Sequence, residues 1–347
     1  MKILLTGANG YIGSRLLPIL ASKGHTVFAL VREPRRLHLE ESVQKNVQVI
    51  QADLLQPTSL QRIPQEIDVA YYLVHSMAEP KEDFQRLDQN AARHFVERLN
   101  QTNCKQINYL SGIQDPHSAS KHLASRKEVE GILKKAEAAT TILRAAIIVG
   151  EGSASFEIMR DLVEKLPIMI APKWVKRLCQ PIAIRDVLYY LEGASLQEEM
   201  WNKCFDIGGP DILSYRMLLL EMARIRGLKR WIIQVPILSP RLSSYWLYLV
   251  TSTNFFLAKS LVASLKNDVV CQNSSIRHIL PQPCLSYQEA VERAFDKIAQ
   301  GGVVSRWTDA VSSGRMPIDF LDHVKPPKEG CVRLRFSKFF RKNHEAV

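Results

Sequence analysis

The chain has 347 residues, 46% of them hydrophobic and 8% aromatic, which is ordinary for an enzyme-like fold and sets no limit on the size of its core. The formal net charge of +11 leaves nucleic acid, anionic lipid and acidic partners open, while six widely spaced cysteines without a CxxC pair predict reduced thiols and no metal site. A strand begins at once and leaves no room for a signal or transit peptide, so we expect a cytoplasmic protein.

A strand, a glycine turn and a helix open the chain. Residues 3–5 predict the strand and residues 11–22 the helix. Between them, one glycine permits the tight turn, a second lets the backbone approach a pyrophosphate, and a third lets the helix pack on the sheet. The free N–H groups of the helix then point at the phosphates. The sequence therefore predicts a dinucleotide site that includes Thr6, Gly7, Asn9, Gly10, Tyr11, Ile12 and Gly13.

The second predicted strand, residues 26–31, ends at Arg32. NAD-specific sites usually place an acidic residue here for the ribose 2′-OH, whereas arginine accommodates a 2′-phosphate. Arg32, with Arg35 and Arg36 nearby, therefore favours NADP and makes NAD the less expected cofactor. The alternative interpretation is an exposed basic turn.

Four further strands alternate with helices. Strands are predicted at 47–54, 69–74, 104–110 and 141–149, and helices at 83–100 and 118–138. This alternation predicts an α/β fold with a doubly wound parallel Rossmann sheet, right-handed crossovers and a ligand cleft over the carboxyl ends of the strands.

Two of these strand ends carry candidate site residues. Asp53 follows the third strand, where it accepts a hydrogen bond from the adenine amino group or caps a turn. The fourth strand ends at Leu73, Val74 and His75, which we expect to face the cofactor.

The second half predicts a smaller C-terminal substrate lobe. Helices are expected at 155–166, 184–195 and 214–227 and a strand at 204–207. We assign 1–150 to the Rossmann core, with the sheet completed by segments around 180–210, 151–324 to the remaining core and the C-terminal lobe, and 325–347 to a basic tail.

Two segments raise the question of a membrane. Residues 242–258 carry no charge, but they are fewer than about 20 and include serines, threonines and an asparagine, so we do not expect them to span a bilayer. They form either a buried helix whose aromatic residues line an apolar substrate pocket or an amphipathic segment on the surface. The tail 325–347 is either solvated or docks to a protein or a membrane surface.

With these motifs, the chain resembles the short-chain dehydrogenase/reductase superfamily, in its extended and atypical NAD(P)-binding, epimerase/dehydratase-like branch, over about residues 1–295. The stretches that carry the resemblance are 53–54, 88–92, 109–112, 143–152, 180–187 and 205–210. The resemblance implies that Asp53, Leu54 and Asn90 contribute to the cofactor site and that Ser111 is the catalytic serine.

The active-site motif departs from that family, whose oxidoreductases carry Tyr-x-x-x-Lys. Here His122 and Arg126 occupy these positions, at i and i+4 on one helix face. Histidine suits general acid/base work near neutral pH, whereas Arg126 stays charged and could hold ribose hydroxyls or a phosphate. His75 is a second candidate acid/base. The alternative is a solvated pair without catalytic function.

Two functions follow. One is an NADP(H)-dependent oxidoreductase that acts on an apolar carbonyl or enone. The other is a non-catalytic NADPH-binding sensor or accessory protein, similar to the redox-sensing regulators of this branch or to the NADPH-binding accessory subunit of respiratory complex I. Nucleic-acid binding ranks third, because no reading helix, zinc finger or RNP-like strand is recognisable.

Overall fold

A computed structural model describes residues 1–75, 84–113, 121–235 and 267–301. All of them lie within one compact unit, Met1–Val311. The strands are β1 (Lys2–Thr6), β2 (Thr26–Val31), β3 (Val47–Gln51), β4 (Val69–Tyr72), β5 (Gln106–Gly112), β6 (Ala139–Ala145), β7 (Ile148–Val149), β8 (Ile168–Ala171), β9 (Leu178–Cys179), β10 (Ile182–Ala183), β11 (Cys204–Ile207), β12 (Leu213–Ser214) and β13 (Trp231–Gln234).

The helices of the described part are α1 (Gly13–Ser22), α2 (Glu41–Gln44), α3 (Phe84–Leu99), α4 (Lys121–Leu133), α5 (Ala154–Lys165), α6 (Ile184–Gly193), α7 (Tyr215–Ile225), α8 (Ile276–Ile279) and α9 (Tyr287–Ala299). None of them is long and apolar enough to cross a membrane. Residues 242–258 and the tail 325–347 lie outside the described residues.

Seven parallel strands form the central sheet, in the order β11-β6-β5-β4-β1-β2-β3. The predicted doubly wound α/β fold is thus confirmed. The chain order reverses between β1 and β4, and open α/β sheets bind ligands at this switch point, outside the carboxyl ends of the strands.

The alternation of side chains along β1 explains why both faces of the sheet are covered. Ile3 and Leu5 belong to an apolar cluster with α1 and α6, whereas Leu4 belongs to a second cluster with α3 and α4. Successive side chains of a strand point to opposite faces, so a strand between two helical layers is apolar throughout.

A smaller C-terminal region follows the sheet. It holds the pairs β7–β10, β8–β13 and β9–β12, of which only the last is antiparallel. Its core packs α5, α7 and α9 around residues such as Phe156, Leu218 and Val291.

Some element boundaries differ from those that the sequence predicts. The strand expected at 141–149 is divided into β6 and β7, because β7 leaves the main sheet and pairs with β10. The strand expected at 47–54 ends at Gln51, where a turn closed by a hydrogen bond from Gln56 N to Asp53 O follows. α7 begins after the predicted serine cap and ends before Gly227, whose φ is +66°.

Candidate functional site

The turn between β1 and α1 has space only for glycine at two positions. Gly7 has φ of +67°, and a Cβ there would lie 2.6 Å from Leu73 O. A Cβ on Gly13 would lie 2.1 Å from Gly7 O. Gly10 N donates to Gly7 O at 2.9 Å and closes the turn. These contacts hold the backbone of the turn directly against the end of β4.

The beginning of α1 is suited to an anion. Its N-cap residue, Ile12, makes no side-chain capping hydrogen bond, and its first turn holds no acidic residue. Thr6 Oγ1 donates to Tyr71 O at 2.9 Å and accepts from Leu73 N at 3.2 Å, which joins the ends of β1 and β4. Because the N-terminus of a helix carries N–H groups and a partial positive charge, the turn fits a pyrophosphate.

The side chain of Tyr11 packs against other residues of the protein. Its ring lies 4.1 Å from the Arg15 guanidinium carbon, and Arg15 Nη2 donates to Glu151 Oε1 at 3.0 Å. A Cβ on Gly150 would lie 2.6 Å from the Tyr11 hydroxyl. The arginine and glutamate side chains are 6% and 2% exposed, so a buried ion pair anchors α1 to the segment that follows β7.

The residues expected around the adenosine lie at the carboxyl ends of β2 and β3. Arg32 is exposed just beyond β2. Arg36 Nε pairs with Glu33 at 2.8 Å, so its charge is already met by a partner. Asp53 Oδ1 accepts from Leu55 N at 2.9 Å, which is the turn cap that the sequence left as an alternative.

Leu54 and Asn90 differ in their surroundings. Leu54 is 5% exposed and belongs to the core on the α3 side of the sheet. Asn90 Oδ1 accepts from Arg93 Nη1 at 2.8 Å, one turn further along α3. Leu73 and Val74, which follow β4, are half-buried, and Leu73 packs beside the glycine turn. The cofactor roles of these residues stay predictions.

A polar cluster lies at the carboxyl end of β5. Ser111 is 2% exposed, and Tyr109 shares its strand face because the two are two residues apart. The ring of His75 lies 6.2 Å from that of Tyr109. Burial raises the pKa of Tyr109, while the positive charge of Arg126 and the nearby Ser111 hydroxyl act in the opposite direction. Tyr109 therefore stays protonated at neutral pH and is able to donate a hydrogen bond.

Three polar atoms of this cluster are buried without a hydrogen-bond partner among the described residues: Ser111 Oγ, Tyr109 OH and Arg126 Nε. The two hydroxyls interact, but their contact does not reach the geometry of a formed hydrogen bond. An unmade buried hydrogen bond costs about 1–3 kcal/mol, so a polar ligand that bonded to these atoms would recover that free energy.

Helix α4 is held in place by charged residues near this cluster. Glu130, 3% exposed, accepts from Arg144 Nε on β6 at 3.1 Å and from its Nη2 at 2.5 Å. Ser125 donates to Asp88 on α3 at 3.2 Å. Burial lowers the pKa of Arg126, and the charges of Asp88 and Glu130 oppose this shift. The two carboxylates thus favour a guanidinium cation beside Tyr109.

The structure brings Ser111, His75 and Arg126 to the same end of the sheet. The backbone of His122 is in α4, one turn before Arg126, but its side chain lies outside the described residues. Tyr109 was not predicted as a site residue. Its position two residues before Ser111 on one strand is the signal that could have identified it.

Comparison with known proteins agrees with the prediction of a dinucleotide site at the glycine turn. Residues 7–149 match the model of a family described as NAD(P)H-binding. A curated relative, the ceramide reductase of Caulobacter vibrioides, is 26% identical over 168 residues, which are 48% of this chain and 52% of that protein. The chain therefore spans about half the length of the curated relative that it matches.

Similar solved structures extend beyond that domain. A nucleoside-diphosphate-sugar epimerase from Staphylococcus aureus superposes with a TM-score of 0.68 at 15% identity and covers 84% of this chain and 100% of its own. A triphenylmethane reductase from Citrobacter sp. gives a TM-score of 0.68 at 18% identity, with 85% and 100% covered. A UDP-glucose 4-epimerase from Thermotoga maritima gives 0.66 at 13% identity, with 87% and 99% covered. Residues 7–149 thus match an NAD(P)H-binding family, and the chain has the fold of these solved epimerases and of the triphenylmethane reductase.

Proposed function

We propose that the protein is an NADP(H)-dependent oxidoreductase that reduces the carbonyl or enone of an apolar, lipid-like substrate. The observation that carries this proposal is the set of buried polar atoms on Ser111, Tyr109 and Arg126, near the carboxyl end of β5, for which the described residues form no complete hydrogen bond. They lie at the same end of the sheet as the glycine turn, within the residues that match an NAD(P)H-binding family. A purely structural cluster would be expected to satisfy these atoms.

The side chains of the cluster have different roles toward a substrate carbonyl group. Ser111 and Tyr109 donate hydrogen bonds to the substrate oxygen, and the charge of Arg126 stabilises the negative charge that develops there. His75 or His122 supplies the proton that converts this oxygen to a hydroxyl. The nicotinamide, when bound, supplies the hydride for the carbon.

The preference for NADP rests on Arg32. It is exposed at the carboxyl end of β2, where a 2′-phosphate is usually recognised, and no acidic residue occupies its position. The apolar substrate is suggested by the relative whose activity is ceramide reduction, since ceramide is a two-chain lipid. An amide carbonyl is a poor hydride acceptor, so the test compounds are ketones and enones.

Turnover is measured as NADPH oxidation with long-chain ketones and enones, including a ceramide whose hydroxyl is oxidised to the ketone. We expect one of them to be reduced. Tyr109→Phe should lower kcat about 100-fold, because it removes one donor to the oxygen, and should leave the NADPH-induced rise in Tm unchanged.

Tyr72→Phe is the matched control, because Tyr72 is a buried tyrosine whose ring packs 5.8 Å from that of Tyr109 on the neighbouring strand. It should retain activity. Tight NADPH binding without turnover of any compound would overturn the reductase and favour the non-catalytic sensor, a candidate supported by the replacement of Tyr-x-x-x-Lys by His122 and Arg126.

The cofactor preference has its own experiment. Thermal unfolding with NADPH, with NADH and with neither should show the larger rise in Tm for NADPH. Arg32→Asp should reduce the NADPH-to-NADH affinity ratio at least tenfold, because a carboxylate repels the 2′-phosphate. Lys45→Asp is the control, since Lys45 is also exposed but precedes the amino end of β3. An unchanged ratio in Arg32→Asp would exclude that residue from the site.

A further inference from the structure

The pair of strands β8 and β13 carries a row of exposed apolar side chains. Ile168 is 51% exposed, Ile170 49%, Trp231 60% and Ile233 52%. The strands are parallel, with Trp231 opposite Ile168 and Ile233 opposite Ile170. Alternate residues of a strand and their direct partners share one face of a sheet, so the four side chains form one continuous patch. We call these four residues the β8–β13 patch.

The opposite face of the same two strands is buried, as one face of a sheet normally is. Met169 and Ile232 are 3% and 7% exposed and contribute to the core of the C-terminal region. The outer face of a one-sided sheet is usually polar. Here both faces are apolar, and contiguous exposed apolar surface of this kind marks an interaction site.

Basic residues surround the patch in the sequence. Residues 164–177 and 226–231 carry seven Lys or Arg and one Glu. Three of these seven basic side chains have acidic partners: Arg226 pairs with Glu164 at 3.2 Å, Lys165 with Asp161 at 2.9 Å and Arg177 with Asp268 at 3.8 Å. Lys176 and Lys229 are exposed and form no ion pair within the described ranges. The segments that flank β8 and β13 in the chain thus carry a net positive charge.

We propose that the β8–β13 patch docks the protein on the surface of an anionic phospholipid bilayer. Tryptophan and isoleucine enter the interfacial layer, while the neighbouring Lys and Arg side chains bind the lipid phosphates. A second copy of the chain is a weaker candidate. Four half-exposed side chains offer less than the roughly 800 Å² per partner that a stable dimer buries, and the surrounding positive charges would repel each other.

Vesicle co-sedimentation of the full-length protein tests this surface, without cofactor or substrate. We expect binding to phosphatidylcholine vesicles that contain phosphatidylglycerol, and at least tenfold weaker binding to phosphatidylcholine alone or at high salt. Ile170→Glu/Ile233→Glu should lower the partition coefficient at least tenfold. Val49→Glu/Ile212→Glu is the matched control, since these residues are 42% and 49% exposed and lie outside the patch. Lys176→Glu/Lys229→Glu should weaken binding to the anionic vesicles.

Three results would overturn the proposal. Unchanged vesicle binding by Ile170→Glu/Ile233→Glu would place the contact elsewhere, including the basic tail. A concentration-dependent dimer that this variant dissociates would identify a second copy as the occupant. A large loss of Tm in this variant but not in the control would show that the chain itself covers the patch. Because the assay contains no cofactor or substrate, its outcome is independent of the proposed reductase activity.

Discussion

At the scale of single residues, the cofactor turn depends on the absence of side chains. Gly13→Ala would place a methyl group 2.1 Å from the backbone oxygen of Gly7. A flexible side chain could move away from such a contact, but the backbone of the turn cannot. We expect this substitution to weaken NADPH binding at least tenfold and to lower Tm, measured by a fluorescence thermal shift with and without NADPH.

Gly131→Ala is the control for that substitution, because a Cβ at Gly131 in α4 meets nothing within 4 Å. It should stabilise the protein by about 0.5–1 kcal/mol, since alanine favours a helix over glycine by about that amount. Equal NADPH affinity in Gly13→Ala and the wild type would show that this helix does not pack as described.

Also at this scale, the sequence predicted the role of the glycines in the turn, but it did not predict the contacts of Tyr109. The identity and spacing of Gly7, Gly10 and Gly13 carry their own geometric meaning, because each replaces a side chain that the turn cannot accept. The proximity of Tyr109 to His75 and Arg126 depends on three different elements that meet only in the folded chain.

At the scale of elements, serine caps begin α5, α7 and α9 in the C-terminal region, and the surroundings of the first two caps differ. Ser153 Oγ accepts from Phe156 N at 3.2 Å and donates to Ile148 O at 3.0 Å, and Ser153 is 5% exposed. Ser214 Oγ accepts from Met217 N at 3.2 Å in a more exposed position. The first cap therefore connects α5 to β7, and the second serves α7 alone.

Ser153→Ala should cost about 2 kcal/mol of unfolding free energy and Ser214→Ala about 1 kcal/mol, because only the first also removes a hydrogen bond to the partly buried carbonyl oxygen of Ile148. Urea denaturation of the two variants measures the difference. Equal losses would mean that the hydrogen bond to Ile148 O contributes nothing.

The helix that begins after Ser214 was predicted with its cap, because capping is a local property of a few residues. The division of residues 141–149 into β6 and β7 was not predicted. Both parts are apolar, and only the distant strand β10 decides which residues leave the main sheet.

At the scale of the whole molecule, buried thiols make the fold sensitive to alkaline pH. Burial raises the pKa of the Cys104 and Cys179 thiols to about 12. In the unfolded chain the pKa of these thiols is about 8.5. Between those values the unfolded state loses protons that the folded state retains, so stability falls as the pH rises.

We therefore expect Tm to decrease steadily from about pH 9 upward, with each thiol contributing up to about 1.4 kcal/mol per pH unit. Cys104→Ala/Cys179→Ala should show a shallower decrease, after correction for its lower Tm at pH 7. The measurement is Tm by calorimetry from pH 7 to pH 11. An identical slope in the double variant would show that these thiols ionise equally in both states.

The sequence alone determined the parallel α/β architecture, the glycine turn and the NAD(P)H-binding domain, because these depend on short-range periodicity and on local backbone geometry. Tertiary structure decided what distant residues do together. It packed Tyr109 beside Arg126, paired Arg15 with Glu151 across 136 residues, and placed Trp231 next to Ile168 on an exposed face. No local pattern contains these contacts, because strand pairing and helix packing bring together residues whose separation along the chain carries no information about their distance in space.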